Sequence, residues 1–197
     1  WRGDKKMAEV YILLTRTGSF FSQTIGLYTK APYNHVSISL DKELTELYSF
    51  GRKTPYNPMR AGFVKEGIHG GIYGRFPNTK CELYSLQVTD RQKEKITRVI
   101  YHFKKNAKHY RYNFLGIAAV PFGKALERSN AFFCSQFVAT VLKMAGVNVW
   151  SKPTGLITPD ECRKSPQLKK VYEGSLIDYA NALREIENLP IRGVVQI

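Results

Sequence analysis

Cys134 heads the run Phe132-Phe133-Cys134-Ser135-Gln136-Phe137-Val138, and well before it in the chain His35 opens the run His35-Val36-Ser37-Ile38-Ser39-Leu40. After Cys134, apolar residues return with helical spacing at Val138, Val141, Leu142 and Ala145, and Gly146 suits a helix C-cap. A thiol in the first helical turn sits among amides that have no intrahelical acceptor, at the positive end of the macrodipole. With an imidazole nearby, its pKa can fall from about 8.5 to between about 3.5 and 7.5. Such a thiolate attacks carbonyl carbon, given a base to share its proton and a third group to hold that base. The leading expectation is therefore a cysteine hydrolase or acyltransferase with Cys134 as nucleophile.

The run from His35 to Leu40 alternates strictly, with Val36, Ile38 and Leu40 on one face and His35, Ser37 and Ser39 on the other. A core-facing strand of this kind fixes the backbone and points the imidazole into a cleft, so His35 is the expected base. His69 lies among glycines, while His102 and His109 lie among lysines, and these three read as solvated or structural.

Other elements must position this pair. Glu9 to Leu14 reads as a first strand, Gly18-Ser19 as the start of a short helix through Ile25 and Leu27, and Leu44 to Phe50 as the strand after His35. Gly51 to Gly74, punctuated by Pro55, Pro58 and five further glycines, reads as a long irregular loop with strand pieces that covers a binding site. Glu82 to Val88 is a strand, and Thr89 with Gln92 makes a capping box for a helix packed by Ile96, Val99, Ile100 and Phe103. Tyr110 to Phe122 is a loop or short helical connection whose Tyr110, Tyr112 and Phe114 read as core packing rather than pocket lining. Thr158-Pro159-Asp160-Glu161 opens a short helix through Cys162, its acids being first-turn charge, and Val194 to Ile197 reads as a last strand.

At 197 residues and 43% hydrophobic content the chain can bury one sizeable core. Residues 1–7 read as an N-terminal extension and 8–197 as a single domain. No apolar run reaches the ~18 residues of a membrane span. Cys81, Cys134 and Cys162 form neither a Cys-x-x-Cys pair nor a zinc quartet, which favours free thiols and a cytoplasmic compartment, with a processed secreted form as the alternative. The net charge of +14 suits an anionic polymer or membrane surface, but the basic residues are dispersed and no nucleic-acid reader motif is present. Gly70, Gly71 and Gly74 lack the Gly-Lys-Ser/Thr of a phosphate loop.

The order "YNHVSISLD", "YSFGRK", "GFVKEGI" and "FFCSQFVATVL" resembles the circularly permuted branch of the NlpC-like, papain-fold cysteine hydrolases, which includes YiiX-like proteins and is related to lecithin:retinol acyltransferases. In that branch the histidine strand precedes the cysteine helix. The resemblance implies an α+β domain whose central antiparallel sheet packs against helices, with the nucleophile at a helix N-terminus and a bacterial source. It implies Cys134 as nucleophile, His35 as base and, from the "YSF" match, Ser49 as third residue, with Glu46 in reserve and Glu66 behind it. The implied reaction is hydrolysis of a peptide or peptidoglycan-type amide through an acyl-enzyme, without metal or organic cofactor. The alternatives are a lipid-directed acyl hydrolase or acyltransferase, or a catalytically weak binding module, the latter motivated by the weak hold of a serine on an imidazole.

Overall fold

Alternating apolar residues on neighbouring strands bury both faces of one sheet, and this sheet organises the chain. In the computed structural model, which describes residues 7–17, 31–54, 57 and 60–187, the strands are β1 (Met7–Arg16), β2 (His35–Ser39), β3 (Leu47–Arg52), β4 (Ala61–Glu66), β5 (Lys80–Thr89) and β8 (Lys169–Ser175). They form an antiparallel sheet in the order β4-β3-β2-β1-β5-β8. Helices α1 (Gly71–Arg75), α2 (Asp90–Lys105), α3 (Phe114–Ala119), α4 (Cys134–Met144), α5 (Pro159–Arg163) and α6 (Leu176–Glu187) complete the fold. A short parallel pair, β6 (Arg111–Tyr112) with β7 (Ala131–Phe132), stands apart from the main sheet.

Val10, Ile12, Leu14, Val36, Ile38, Phe50 and Phe63 face α2 and α4, which contribute Ile96, Ile100, Phe103, Phe137, Val138, Val141 and Leu142. Tyr11, Leu13, Leu47, Cys81 and Leu83 point the other way, against Tyr73 of α1 and Leu176, Tyr179 and Ala180 of α6. The expected α+β architecture, with the cysteine helix against the histidine strand, is the observed one. The expected capping box forms at Thr89 with Gln92, the N-cap at Thr158 forms as a second box with Glu161, and Gly146 follows α4 at φ 77.

Several expectations need correction. The strand after β2 begins at Leu47 rather than Leu44, because the Asp41 carboxylate accepts the Thr45 and Glu46 amides at 2.7 and 2.9 Å and winds the chain into a turn. Leu44 takes φ 59 in that turn and still buries its side chain. The segment from Gly51 to Gly74 holds the expected strand pieces, completing β3 and supplying β4, and also forms the helix α1, which was not expected. Strand β8 and helix α6 went unread. The expected helix through Ile25 and the terminal strand at 194–197 lie outside the described residues, as does most of the 1–7 extension, whose Met7 already belongs to β1.

Phe137 fastens the helix of Cys134 to the sheet: fully buried, it touches the rings of Phe50 and Phe103, each centred 5.2 Å away. Phe137→Ala should lower unfolding free energy by about 3 to 5 kcal/mol, read as a drop in the urea midpoint at unchanged slope.

Candidate active site

Cys134 is the first residue of α4, and Phe133 in the N-cap position offers no side-chain cap. The first-turn amides are therefore left for another acceptor. The Cys134 sulfur takes that role, accepting hydrogen bonds from the Ser135 amide and from the amide of Val36 in β2. His35, the first residue of β2, hydrogen-bonds the same thiol. Its Nε2 lies 2.7 Å from Glu66 Oε1, which leaves Nδ1 to meet the sulfur.

Glu66 closes β4 and reaches back across the sheet face. On that face the intervening residues of β3 are Ser49 and Gly51, both small. A Cβ at position 51 would lie 3.2 Å from His35 Cε1 and 3.7 Å from Glu66 Oε1, so the glycine makes room for the pair. The carboxylate is held at its other oxygen too: Ser37 Oγ donates to Oε2 at 2.6 Å and Tyr73 OH at 3.1 Å. Thr15 Oγ1 lies 3.3 Å from Tyr73 OH and extends the chain of hydroxyls.

Ser49 does not hold the imidazole. Although it lies on the His35 face, it is fully buried and its hydroxyl donates to the Val36 carbonyl at 2.8 Å. Glu46 is also excluded from that position, being occupied by Tyr48 OH and Lys65 Nζ. The partner of His35 is Glu66, the residue ranked behind both. Its neighbour Ser37 was legible as a polar residue on the face of His35; no local signal marked Tyr73.

Tyr112 packs against the core as expected, half-buried, and its hydroxyl is hydrogen-bonded to Cys134. The parallel β6–β7 pair places it there, with the Arg111 amide donating to the Asn130 carbonyl and the Asn113 amide to that of Phe132. His69, His102 and His109 are exposed, as expected.

Burial alone would raise the Cys134 pKa, but the His35 hydrogen bond and charge and the two amides outweigh it, and the thiol is held below its ordinary value. Burial likewise opposes the His35 imidazolium, yet the Glu66 charge and the hydrogen bonds to Cys134 and Glu66 raise it to about 10. Glu66 is depressed despite burial, by the charge and hydrogen bond of His35 and the two hydroxyl donors. The site thus favours a thiolate beside an imidazolium, backed by a carboxylate. Burial pushes the other thiols up, Cys81 to about 12 and Cys162 beyond it. His35 and Glu66 keep 22% and 12% of their side-chain surface, which opens the site from one side.

No protein-family model and no curated protein matches the chain. Among solved structures, it is similar to YiiX from Escherichia coli O157:H7, described as a metalloprotein and as DUF1105, with a TM-score of 0.53 at 16% identity, covering 87% of this chain and 99% of that one. The likeness shows a YiiX-like fold. Among the described residues no three His, Cys, Asp or Glu side chains are grouped to hold a metal. In the site, His35 Nε2 is engaged by Glu66, and both Glu66 oxygens accept hydrogen bonds. This donor set does not fit a metal centre.

Glu66→Gln removes the charge that raises His35. The pH midpoint of Cys134 alkylation should then move up by about 1 to 3 units, with a lowered melting temperature at neutral pH because the imidazolium loses its carboxylate partner. An unchanged midpoint would show that the carboxylate does not tune the pair.

Proposed function

We propose that the chain is a thiol-dependent acyl hydrolase acting through Cys134, His35 and Glu66 on an amide of a peptide or peptidoglycan-type substrate. The observation that carries this reading is the continuous contact from a helix-N-terminal thiol through an imidazole to a buried carboxylate. The order of histidine strand before cysteine helix and the YiiX-like fold support a permuted papain-like arrangement.

In the reaction, the Cys134 thiolate attacks the carbonyl carbon and its electron pair moves to oxygen. The Cys134 amide, with the Tyr112 hydroxyl held protonated by burial and by the neighbouring thiolate, would donate to that oxyanion. Imidazolium His35 gives its proton to the leaving amine as the C–N bond breaks, leaving a thioester. Neutral His35 then takes a proton from water, hydroxide attacks the thioester, and collapse releases the carboxylic acid and the thiolate. Glu66 stays ionised throughout and keeps the ring oriented.

A lipid-directed acyl transfer is the second reading, favoured by the apolar side chains exposed near Tyr112. The binding-module alternative loses its motive, since a carboxylate occupies the position expected for serine.

The test is iodoacetamide labelling against pH in a Cys81→Ser/Cys162→Ser background, with and without His35→Ala. Labelling should proceed well below pH ~8.5 and return toward that midpoint in His35→Ala. A midpoint near ~8.5 in both proteins would sink the dyad. Turnover should fall again on the alkaline side as His35 loses its proton near pH 10.

Stability follows the same charges. His35 is raised, so its contribution is full below about 6.5 and is lost as pH rises through about 10. Glu66 is depressed, so its contribution is present above about 4.3 and drains as pH falls through its lower folded value. A melting-temperature profile should decline on both flanks, and His35→Ala should flatten the alkaline one.

A further inference from the structure

Between Glu94 and Glu127 the chain has no acidic residue, while seven lysines and arginines fall there, from Lys95 to Lys124. Six of the seven are exposed. Among the described residues none of them is in an ion pair. Glu127, the first acid to follow, is turned away to the Thr154 hydroxyl and the Gly155 amide, each at 2.9 Å.

The same stretch carries apolar side chains on the outside. Phe122, Leu115 and Leu126 are 75%, 65% and 45% exposed, three of the seven large hydrophobic residues exposed on the described surface, and all three fall within residues 115–126. Single exposed apolar residues are ordinary, whereas three within twelve residues, with an exposed lysine at 124 and an exposed arginine at 111, mark an interaction surface.

The backbone beneath the cluster is pinned. Asn113, fully buried, donates from Nδ2 to the Leu126 carbonyl at 2.8 Å and accepts the Gly116 amide at Oδ1, closing the base of the protrusion. Gly123 turns the chain at φ 66 after the short 3-10 turn Val120–Phe122, and the Lys124 amide returns to the Ala119 carbonyl. The protrusion starts at the candidate site: the Phe114 ring lies 4.8 Å from that of Tyr112, whose hydroxyl is on the Cys134 thiol.

An anionic polymer in water would engage the cations and leave Leu115, Phe122 and Leu126 wet. A bilayer with anionic headgroups accepts both, phosphates taking the cations and the acyl boundary the apolar tips. We propose that residues 114–126, with Lys124 among them and Arg111 on the strand that leads in, form a docking surface for an anionic phospholipid bilayer. Docking there sets the Cys134 site facing substrate presented at that surface. It is independent of thiol chemistry, so a protein with an inert Cys134 would dock equally well.

The test is flotation with phosphatidylcholine vesicles, with and without phosphatidylglycerol. The native chain should bind the anionic vesicles preferentially, with binding that weakens in salt. Leu115→Ser/Phe122→Ser should bind about tenfold or more weakly, and a thermal melt reports whether it remains folded. Phe122→Trp gives a second reading that needs no loss of binding: its emission, corrected for the native tryptophans, should shift to the blue on anionic vesicles. Three results would overturn the proposal: no binding of the native chain, binding indifferent to the double substitution, or self-association that the double substitution abolishes.

Discussion

A carboxylate withdrawn from water stays charged only where other groups replace the water it lost. Glu66 obtains that replacement from an imidazolium and two hydroxyls, one at Oε1 and two at Oε2. His35 in turn can be an imidazolium in a largely buried position because Glu66 and the Cys134 thiolate stand on either side of it. Each charge is tolerable only in the presence of the next. Removing one partner leaves a buried charge uncompensated, which costs more than the pair contributes when intact. The neighbouring architecture follows from this constraint, including the small residues at Ser49 and Gly51 and the tyrosine that α1 turns inward.

The members of this chain of contacts come from different layers. Cys134 belongs to the helix layer on one face of the sheet, where α4 packs with α2. Ser37, Glu66 and Tyr73 belong to the other face, where α1 and α6 lie. His35, at the first position of β2, is where the two meet. The thiol is tied to the strand as well as to the imidazole, through the Val36 amide, so helix and strand cannot shift independently without losing a hydrogen bond to sulfur. Cys134 is 3% exposed, and its position is correspondingly fixed.

What could be read from the sequence was what local pattern controls. The alternation that begins at His35, the capping box at Thr89, the helix start at Thr158, and the helical spacing after Cys134 each follow from residues a few positions apart, and each element formed. Ser49 was preferred over Glu66 because a motif match reports proximity in sequence. The position of Glu66 depends instead on the register of β4 against β3 and on what the intervening side chains leave open, neither of which a single strand encodes. The β6–β7 pair is two residues per strand, too short for any periodicity to show, yet it brings the Tyr112 hydroxyl to the thiol while the ring packs against the core. Strand β8 reads as polar because it is an edge strand, and α6 did carry an apolar stripe at Leu176, Tyr179, Ala180 and Leu183 that helical spacing could have revealed.

Asn113 shows how one buried polar side chain couples the site to the surface. Its amide group meets the Leu126 carbonyl, the Gly116 amide and Gln136 Oε1 of α4, so the exposed protrusion and the first turn of the cysteine helix share a single anchor. A Cβ at position 116 would fall 2.3 Å from Asn113 Nδ2, and the glycine there keeps that anchor in place. Because Tyr112 directly precedes Asn113 in the chain, a displacement of the protrusion would be transmitted to the hydroxyl that touches the thiol. The protrusion of residues 114–126 and the Cys134 helix are therefore joined through main-chain continuity and a fully buried side chain.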